Sequence, residues 1–119
     1  AWLEKRRSHA TTFTQVVDAN SNLKSPAVRP ESNHAWHQFC IQTDNAERLL
    51  EHMNAHHIDA RLIYPTPCHM HPVYANHPQA NETFSVTEAL CRQLVSIPVH
   101  HGLTDEENAR IVKAIETYF

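Results

Sequence analysis

The side chains best equipped for chemistry are gathered in one stretch, Ile63-Tyr64-Pro65-Thr66-Pro67-Cys68-His69-Met70-His71-Pro72-Val73-Tyr74. Imidazole, phenol and thiol groups can bind a ligand, ligate a metal or attack an electrophile, and each use demands a different arrangement. The donor count would satisfy zinc, since Cys68-His69-x-His71 and His100-His101 supply nitrogen and sulfur enough. Their spacing is not that of a zinc finger or ribbon, and adjacent histidines on a strand point to opposite faces. Nucleophilic catalysis by Cys68 with His69 meets a similar objection: sequence neighbours seldom face each other, and no oxyanion site accompanies them. A binding loop fits better. Pro65, Pro67 and Pro72 fix their own φ and push the preceding residues toward extended backbone. This predicts a stiff, non-helical segment that displays its side chains from the end of a strand. The residues alone also admit a plainer reading, a proline-rich connector crossing the surface.

Such a loop needs a scaffold, and 119 residues suffice for one domain with a real core. With 41% hydrophobic and 19% charged residues the chain reads as a soluble globular protein, and no apolar run is long enough to cross a bilayer. The net charge is -3 and the basic residues are dispersed apart from Lys5-Arg6-Arg7, so there is no electrostatic footprint for nucleic acid. Cys40, Cys68 and Cys91 form no CxxC pair and follow no secretory signal; they are expected to be reduced thiols in a cytoplasmic protein. Gly102 is the one glycine, which removes the P-loop and the dinucleotide fingerprint.

Leu3, Ala10, Phe13, Val16 and Val17 recur at helical steps and predict a leading helix over 1–19. No N-cap precedes Trp2, so the sequence opens inside an element, as a trimmed or excised piece would. Residues 20–35, with Pro26 and Pro30, are expected to be a linker to an α+β core over 36–119. There, Trp36 to Thr43 reads as a strand, and Asp44 with Glu47 as a capping box opening a helix to about His56 that buries Leu49, Leu50 and Met53. Asp59 to Tyr64 reads as the next strand, adjacent to the first. The polar run Asn76 to Thr83 carries no periodicity and is expected to be exposed. Ser85 with Glu88 predicts a helix to Gln93 with Val86, Ala89 and Leu90 inward, then a short strand Leu94 to Ile97 stopped by Pro98. Thr104 with Glu107 opens the last helix, whose face carries Asn108, Ile111, Val112, Ile115 and Phe119. The fold class is α+β, a small, mainly antiparallel sheet of about three strands covered by helices.

Taken together, Trp36-His37-x-Phe39, Tyr64-Pro65-x-Pro67-x-His69, Tyr74, Val95-Ser96-Ile97-Pro98-Val99-His100 and Leu103-Thr104-x-Glu106-Glu107 resemble the C-terminal portion of DegT/DnrJ-type sugar aminotransferases. The resemblance runs from the first helix to the last residue. It implies the small domain of a fold type I enzyme, normally a homodimer, that uses PLP to move an amino group from glutamate to a nucleotide-linked keto-sugar. It also implies that His37, Tyr64 and His69 contact the substrate, as hydrogen-bond donors to the sugar or its diphosphate. The family's cofactor-carrying lysine, the carboxylate facing the pyridine nitrogen and the phosphate-binding groups lie in a large N-terminal domain. Lys5, Lys24 and Lys113 match none of them, so no cofactor and no activity are expected of this chain alone. Two positions depart from the pattern: Ile63 stands where the family often has histidine, and His57 where a left-handed turn after the helix commonly has glycine.

The alternatives to this reading are a stand-alone α+β binding or assembly module and, less in keeping with the spacing, a histidine-rich metal-binding domain. For assembly, Leu3, Phe13 and Val17 form a stripe that needs cover, which predicts a dimer through the first helix unless the stripe folds onto its own core.

Overall fold

Along the strand Phe39–Thr43, the residues Phe39, Ile41 and Thr43 are buried while Cys40 and Gln42 between them are only half-buried. Successive strand residues point to opposite faces, so this alternation assigns one face to the core and leaves the other partly open. The computed structural model describes residues 1–119, with the order α1 (Trp2–Asp18), β1 (Leu23–Lys24), β2 (Phe39–Thr43), α2 (Ala46–Ala55), β3 (Arg61–Leu62), α3 (Ser85–Gln93), β4 (Leu94–Ile97) and α4 (Asp105–Glu116). The fold is α+β. The sheet has four strands in the order β1-β2-β4-β3, every neighbouring pair antiparallel.

Two expectations about the sheet are corrected. The stretch expected as plain linker contributes a strand of its own, Leu23–Lys24, pairing with Thr43 and Gln42. A strand of two residues is too short to leave a period-2 signature. The stretches expected as adjacent strands are not neighbours either, because β4 lies between β2 and β3, with Val95 opposite both Ile41 and Leu62. Strands β2 and β3 therefore run parallel, and α2 is the crossover that parallel strands require. The first of them begins at Phe39 rather than Trp36: Trp36 sits at φ 50, its N–H donated to His34 Nδ1 at 2.9 Å, and its ring stacks on Phe39 at 5.4 Å.

The core face is covered by α1, α2 and α4. From α1 come Ala10, Phe13 and Val17, all fully buried, and Phe13 meets Phe39 edge-on at 5.7 Å. The stripe expected to need a partner is thus covered within the chain, and a dimer through α1 is not what the geometry offers. Leu3 alone of that stripe lies toward solvent. Asn20, just beyond α1, donates from Nδ2 to the carbonyls of Ile115 (3.3 Å) and Tyr118 (2.8 Å), tying the end of α1 to the end of α4. Helix α4 opens with the expected capping box: Thr104 Oγ1 accepts from the Glu107 N–H at 3.2 Å, and Glu107 Oε2 accepts from the Thr104 N–H at 2.8 Å. Ile111, Ala114 and Ile115 are buried and Val112 half-buried. Phe119 is exposed, because α4 ends at Glu116 and the turn that follows buries Tyr118 instead.

Two helix starts differ from expectation in a local way. Asn45, not Asp44, caps α2, its Oδ1 accepting from the Arg48 N–H at 3.0 Å. For α3 the capping residue is Phe84 rather than Ser85, and it is Glu88 that reaches back, its Oε1 accepting the Phe84 N–H at 3.0 Å. Although α3 spans the expected residues, it buries none of them: Val86 and Leu90, expected inward, are exposed. The helix meets the open face of the sheet, where the Gln93 Oε1 accepts from Gln42 Nε2 at 2.9 Å, and the loop after β3, through Glu88.

Candidate functional site

After β3 the chain enters the proline stretch, and backbone hydrogen bonds explain its shape. Pro67 is buried and anchors a first 3₁₀ turn, Cys68–Met70; a second, Pro72–Tyr74, follows directly. The Met70, His71, Tyr74, Ala75, His77, Ala80 and Glu82 N–H groups each donate to the carbonyl three residues back, at 2.8–3.1 Å. What the sequence presents as an aperiodic polar run is therefore a continuous succession of tight turns, most of them exposed. Proline rigidity and local i→i+3 bonds hold it without strand or helix partners.

His69 is the fixed point of this loop. Its Nε2 donates to Glu88 Oε1 at 3.3 Å, with only 14% of the His69 side chain and 22% of the Glu88 side chain exposed, and its ring meets Phe84 edge-on at 4.7 Å. Glu88 was recognisable from sequence only as a possible cap. Because the same carboxylate oxygen also accepts the Phe84 N–H, one side chain orients both the histidine and the start of α3. Tyr64 is 73% exposed at the point where the chain leaves β3, its phenol free to meet a ligand. His37 is also exposed, but elsewhere. His37 precedes β2 and Tyr64 follows β3, and because these two strands run parallel on either side of β4 the residues leave the sheet at opposite ends. The structure groups Tyr64 and His69 on one loop and leaves His37 apart.

The remaining reactive groups are dispersed. No three His, Cys, Asp or Glu side chains converge as a metal would require, so Cys68, His69, His71, His100 and His101 form no common centre. The cysteines are all free thiols; burial pushes the Cys40 thiol up, against a hydrogen bond with Ser96 that pulls it down, which keeps it protonated and inert. His57 follows α2 at φ 58, the left-handed turn anticipated for that position.

PLP needs an amine and a cradle of donors facing it. Lys5, Lys24 and Lys113 are all exposed, on α1, on the edge strand β1 and on α4, and none stands beside His69 or Tyr64. The residues present do not fit the cofactor by themselves.

Comparison with known proteins places this geometry. Residues 1–116 match the profile of the DegT/DnrJ/EryC1/StrS aminotransferase family. The dTDP-3-amino-3,4,6-trideoxy-alpha-D-glucose transaminase of Streptomyces venezuelae is 25% identical over 99% of this chain and 31% of its own length. The UDP-N-acetyl-3-dehydro-alpha-D-glucosamine 3-aminotransferase of Acidithiobacillus ferrooxidans is 30% identical over 97% of this chain and 30% of its own. Among solved structures, Streptomyces venezuelae DesV superposes with a TM-score of 0.90 at 25% identity, covering 97% of this chain and 31% of DesV. The chain thus spans about a third of the length of the curated relatives it matches. With a matching profile over nearly every residue and the same fold, the chain belongs to the DegT/DnrJ/EryC1/StrS aminotransferase family.

Proposed function

We propose that these 119 residues are the small-domain part of a cytoplasmic, PLP-dependent sugar aminotransferase that transfers an amino group from glutamate to a nucleotide-linked keto-sugar. The observation that carries this reading is the pairing of near-complete coverage of this chain with about a third of each relative. In it, Tyr64 on the proline loop donates a hydrogen bond to the sugar or its diphosphate, and His69, its Nε2–H held by Glu88, presents Nδ1 as an acceptor to a sugar hydroxyl. His37, at the far end of the sheet, contributes at a second surface rather than in the same loop. PLP and its lysine belong to residues outside these 119, so the chain by itself neither holds the cofactor nor transaminates. Borohydride reduction of the chain after incubation with PLP tests this: low, scattered labelling of Lys5, Lys24 and Lys113 is expected, and stoichiometric labelling of a single lysine would overturn it.

A homodimer is part of the proposal, supported by the apolar side chains of one segment. Tyr64, Met70, Val73 and Val86 are each more than half exposed, on the loop and on the α3 helix that buries nothing within the chain. Apolar surface of this kind in a water-exposed protein usually marks a contact. Light scattering should show a mass above 13.7 kDa that falls on dilution and in a Val86→Asp variant; 13.7 kDa at every concentration would remove the dimer. The same face also favours a second reading, a stand-alone binding module, which single-lysine labelling does not distinguish but a dimer unresponsive to nucleotide would favour.

A further inference from the structure

A cavity of about 200 Å³ lies at the end of the sheet away from the proline loop, where the turn after α2 leads into β3 and the chain leaves β4 for α4. Five of its lining side chains are ionisable: His57, Asp59, His100, Glu107 and Arg110. The two carboxylates are already engaged. Asp59 takes both arms of Arg61, Oδ1 from Nε at 3.1 Å and Oδ2 from Nη2 at 3.0 Å, and Glu107 Oε2 accepts from the N–H and the hydroxyl of Thr104. The side chains of His57, His100 and Arg110 make no hydrogen bond or ion pair within the chain. The charges of His100 and Arg110 nonetheless act on this cavity: behind the hydrogen bonds from Thr104, both help to hold the Glu107 carboxyl below its ordinary range. His57 stands at φ 58, a left-handed backbone conformation that suits glycine and strains a residue with a side chain. Because His57 is exposed, packing does not account for a side chain at that position, and strain of this kind gathers where a side chain has a use.

We propose that this cavity binds a phosphate group, either the free ion or the end of a small phosphomonoester. The guanidinium of Arg110 supplies charge and a fork of N–H donors, and the imidazoles of His57 and His100 supply one N–H each. These donors come from three separate segments, α4, the turn after α2 and the stretch after β4. A tetrahedral anion offers oxygens in several directions to such a set, whereas a planar carboxylate is served by one arginine fork. A cation suits the cavity less well: Arg110 repels it, both carboxylates are engaged, and no three His, Cys, Asp or Glu side chains converge there. The volume is below the roughly 300–1,000 Å³ that encloses a drug-sized ligand and ample for a phosphate. Since the cavity and the proline loop lie at opposite ends of the sheet, the site is distinct from Tyr64 and His69 and holds whether or not the chain serves an aminotransferase.

Amide-resolved NMR titration of the 119-residue chain tests it, with inorganic phosphate and glycerol 3-phosphate added separately at matched ionic strength. Each should shift the resonances of His57, His100 and Arg110 saturably at millimolar concentration and leave those of Lys5, Lys24 and Lys113 in place. Tighter binding of phosphate identifies the free ion as the ligand, and tighter binding of the ester a phosphorylated metabolite; either result supports the site. Arg110→Gln, at an exposed position of α4 where folding is not at stake, should weaken binding by about tenfold or more, the loss expected for hydrogen bonds to a charged group. Arg110→Lys, which keeps the charge and loses the fork, should weaken it less. His57→Gly separates binding from folding: glycine relieves the left-handed backbone, so the thermal midpoint should not fall, while phosphate affinity drops by about threefold. Shifts scattered over the surface lysines, an affinity unchanged in Arg110→Gln, or no saturable shift at the cavity with either probe would overturn the site and leave the aminotransferase reading as it stands.

Discussion

Replacing Phe13 with Ala should lower the free energy of unfolding by about 3–5 kcal/mol, the range for deleting a buried aromatic ring. Phe13 is fully buried at the junction of α1 with the sheet, between Ala10 and Val17 on its own helix and with its ring edge-on to Phe39 at 5.7 Å. Phe39 in turn carries Trp36, stacked at 5.4 Å, and the His9 ring lies against Phe13 at 6.4 Å, so the cavity left by the substitution would open within a row of rings rather than at its margin. Rigid rings on both sides leave little room for collapse, which argues for the upper part of the range. Since a domain of this size is stable by about 5–15 kcal/mol, a fifth or more of the total is at stake. Urea denaturation followed by circular dichroism gives the measurement, with Leu3→Ala, on the solvent side of the same helix, as a control expected to change by no more than about 0.5 kcal/mol. A loss below about 1 kcal/mol for Phe13→Ala would mean that α1 is not docked on this sheet. In that event the helix would return as a surface for a partner.

The parts of this fold that were legible in the sequence are those set by neighbours in the chain. Thr104 and Glu107 could be paired from their spacing because a capping box closes over three residues, and the structure closes it as expected. The proline loop was legible for the same reason: its stiffness comes from the residues themselves. Strand adjacency was not, because the insertion of β4 between β2 and β3 is decided by contacts across more than thirty residues of chain. Helix α3 shows the converse. Its amphipathic pattern is real, yet periodicity states only that Val86 and Leu90 share a face, not that this chain covers it. In the candidate site, Tyr64 and His69 were singled out by the loop's composition and family likeness, and the structure adds only where they stand. Their separation from His37 required the sheet register, and the role of Glu88 required the fold of the turns back onto α3. His9 was overlooked although a signal was present, since it lies four residues before Phe13 and eight before Val17, on the same helical stripe.

That histidine should make the protein less stable in acid. His9 is buried between α1 and α4, with Asn108 Nδ2 set against its Nδ1 and its Nε2 without any partner. An amide donor at Nδ1 leaves the ring's proton on Nε2, and a second proton would set N–H against N–H. Burial is the main force holding its pKa below the ordinary 6.5; Lys5 on α1 and His100 before α4 add to it, and Asp105 at the start of α4 opposes them. The folded state therefore binds fewer protons at this site than the unfolded chain does between the depressed value and 6.5. Stability is complete above 6.5 and declines as the pH falls through that window, by at most about 1.4 kcal/mol per pH unit for one proton, then levels off below the folded-state value. A His9→Gln variant keeps a hydrogen-bonding group for Asn108 but cannot titrate. Denaturation midpoints measured from pH 8 down to about pH 5 should therefore slope less steeply for the variant than for the parent, the difference appearing only below about pH 6.5. Because the other ten histidines are common to both proteins, their titration cancels in that comparison. Parallel slopes would show that His9 titrates as freely in the folded chain as in the unfolded one, and the seam between α1 and α4 would then have to admit water to the ring.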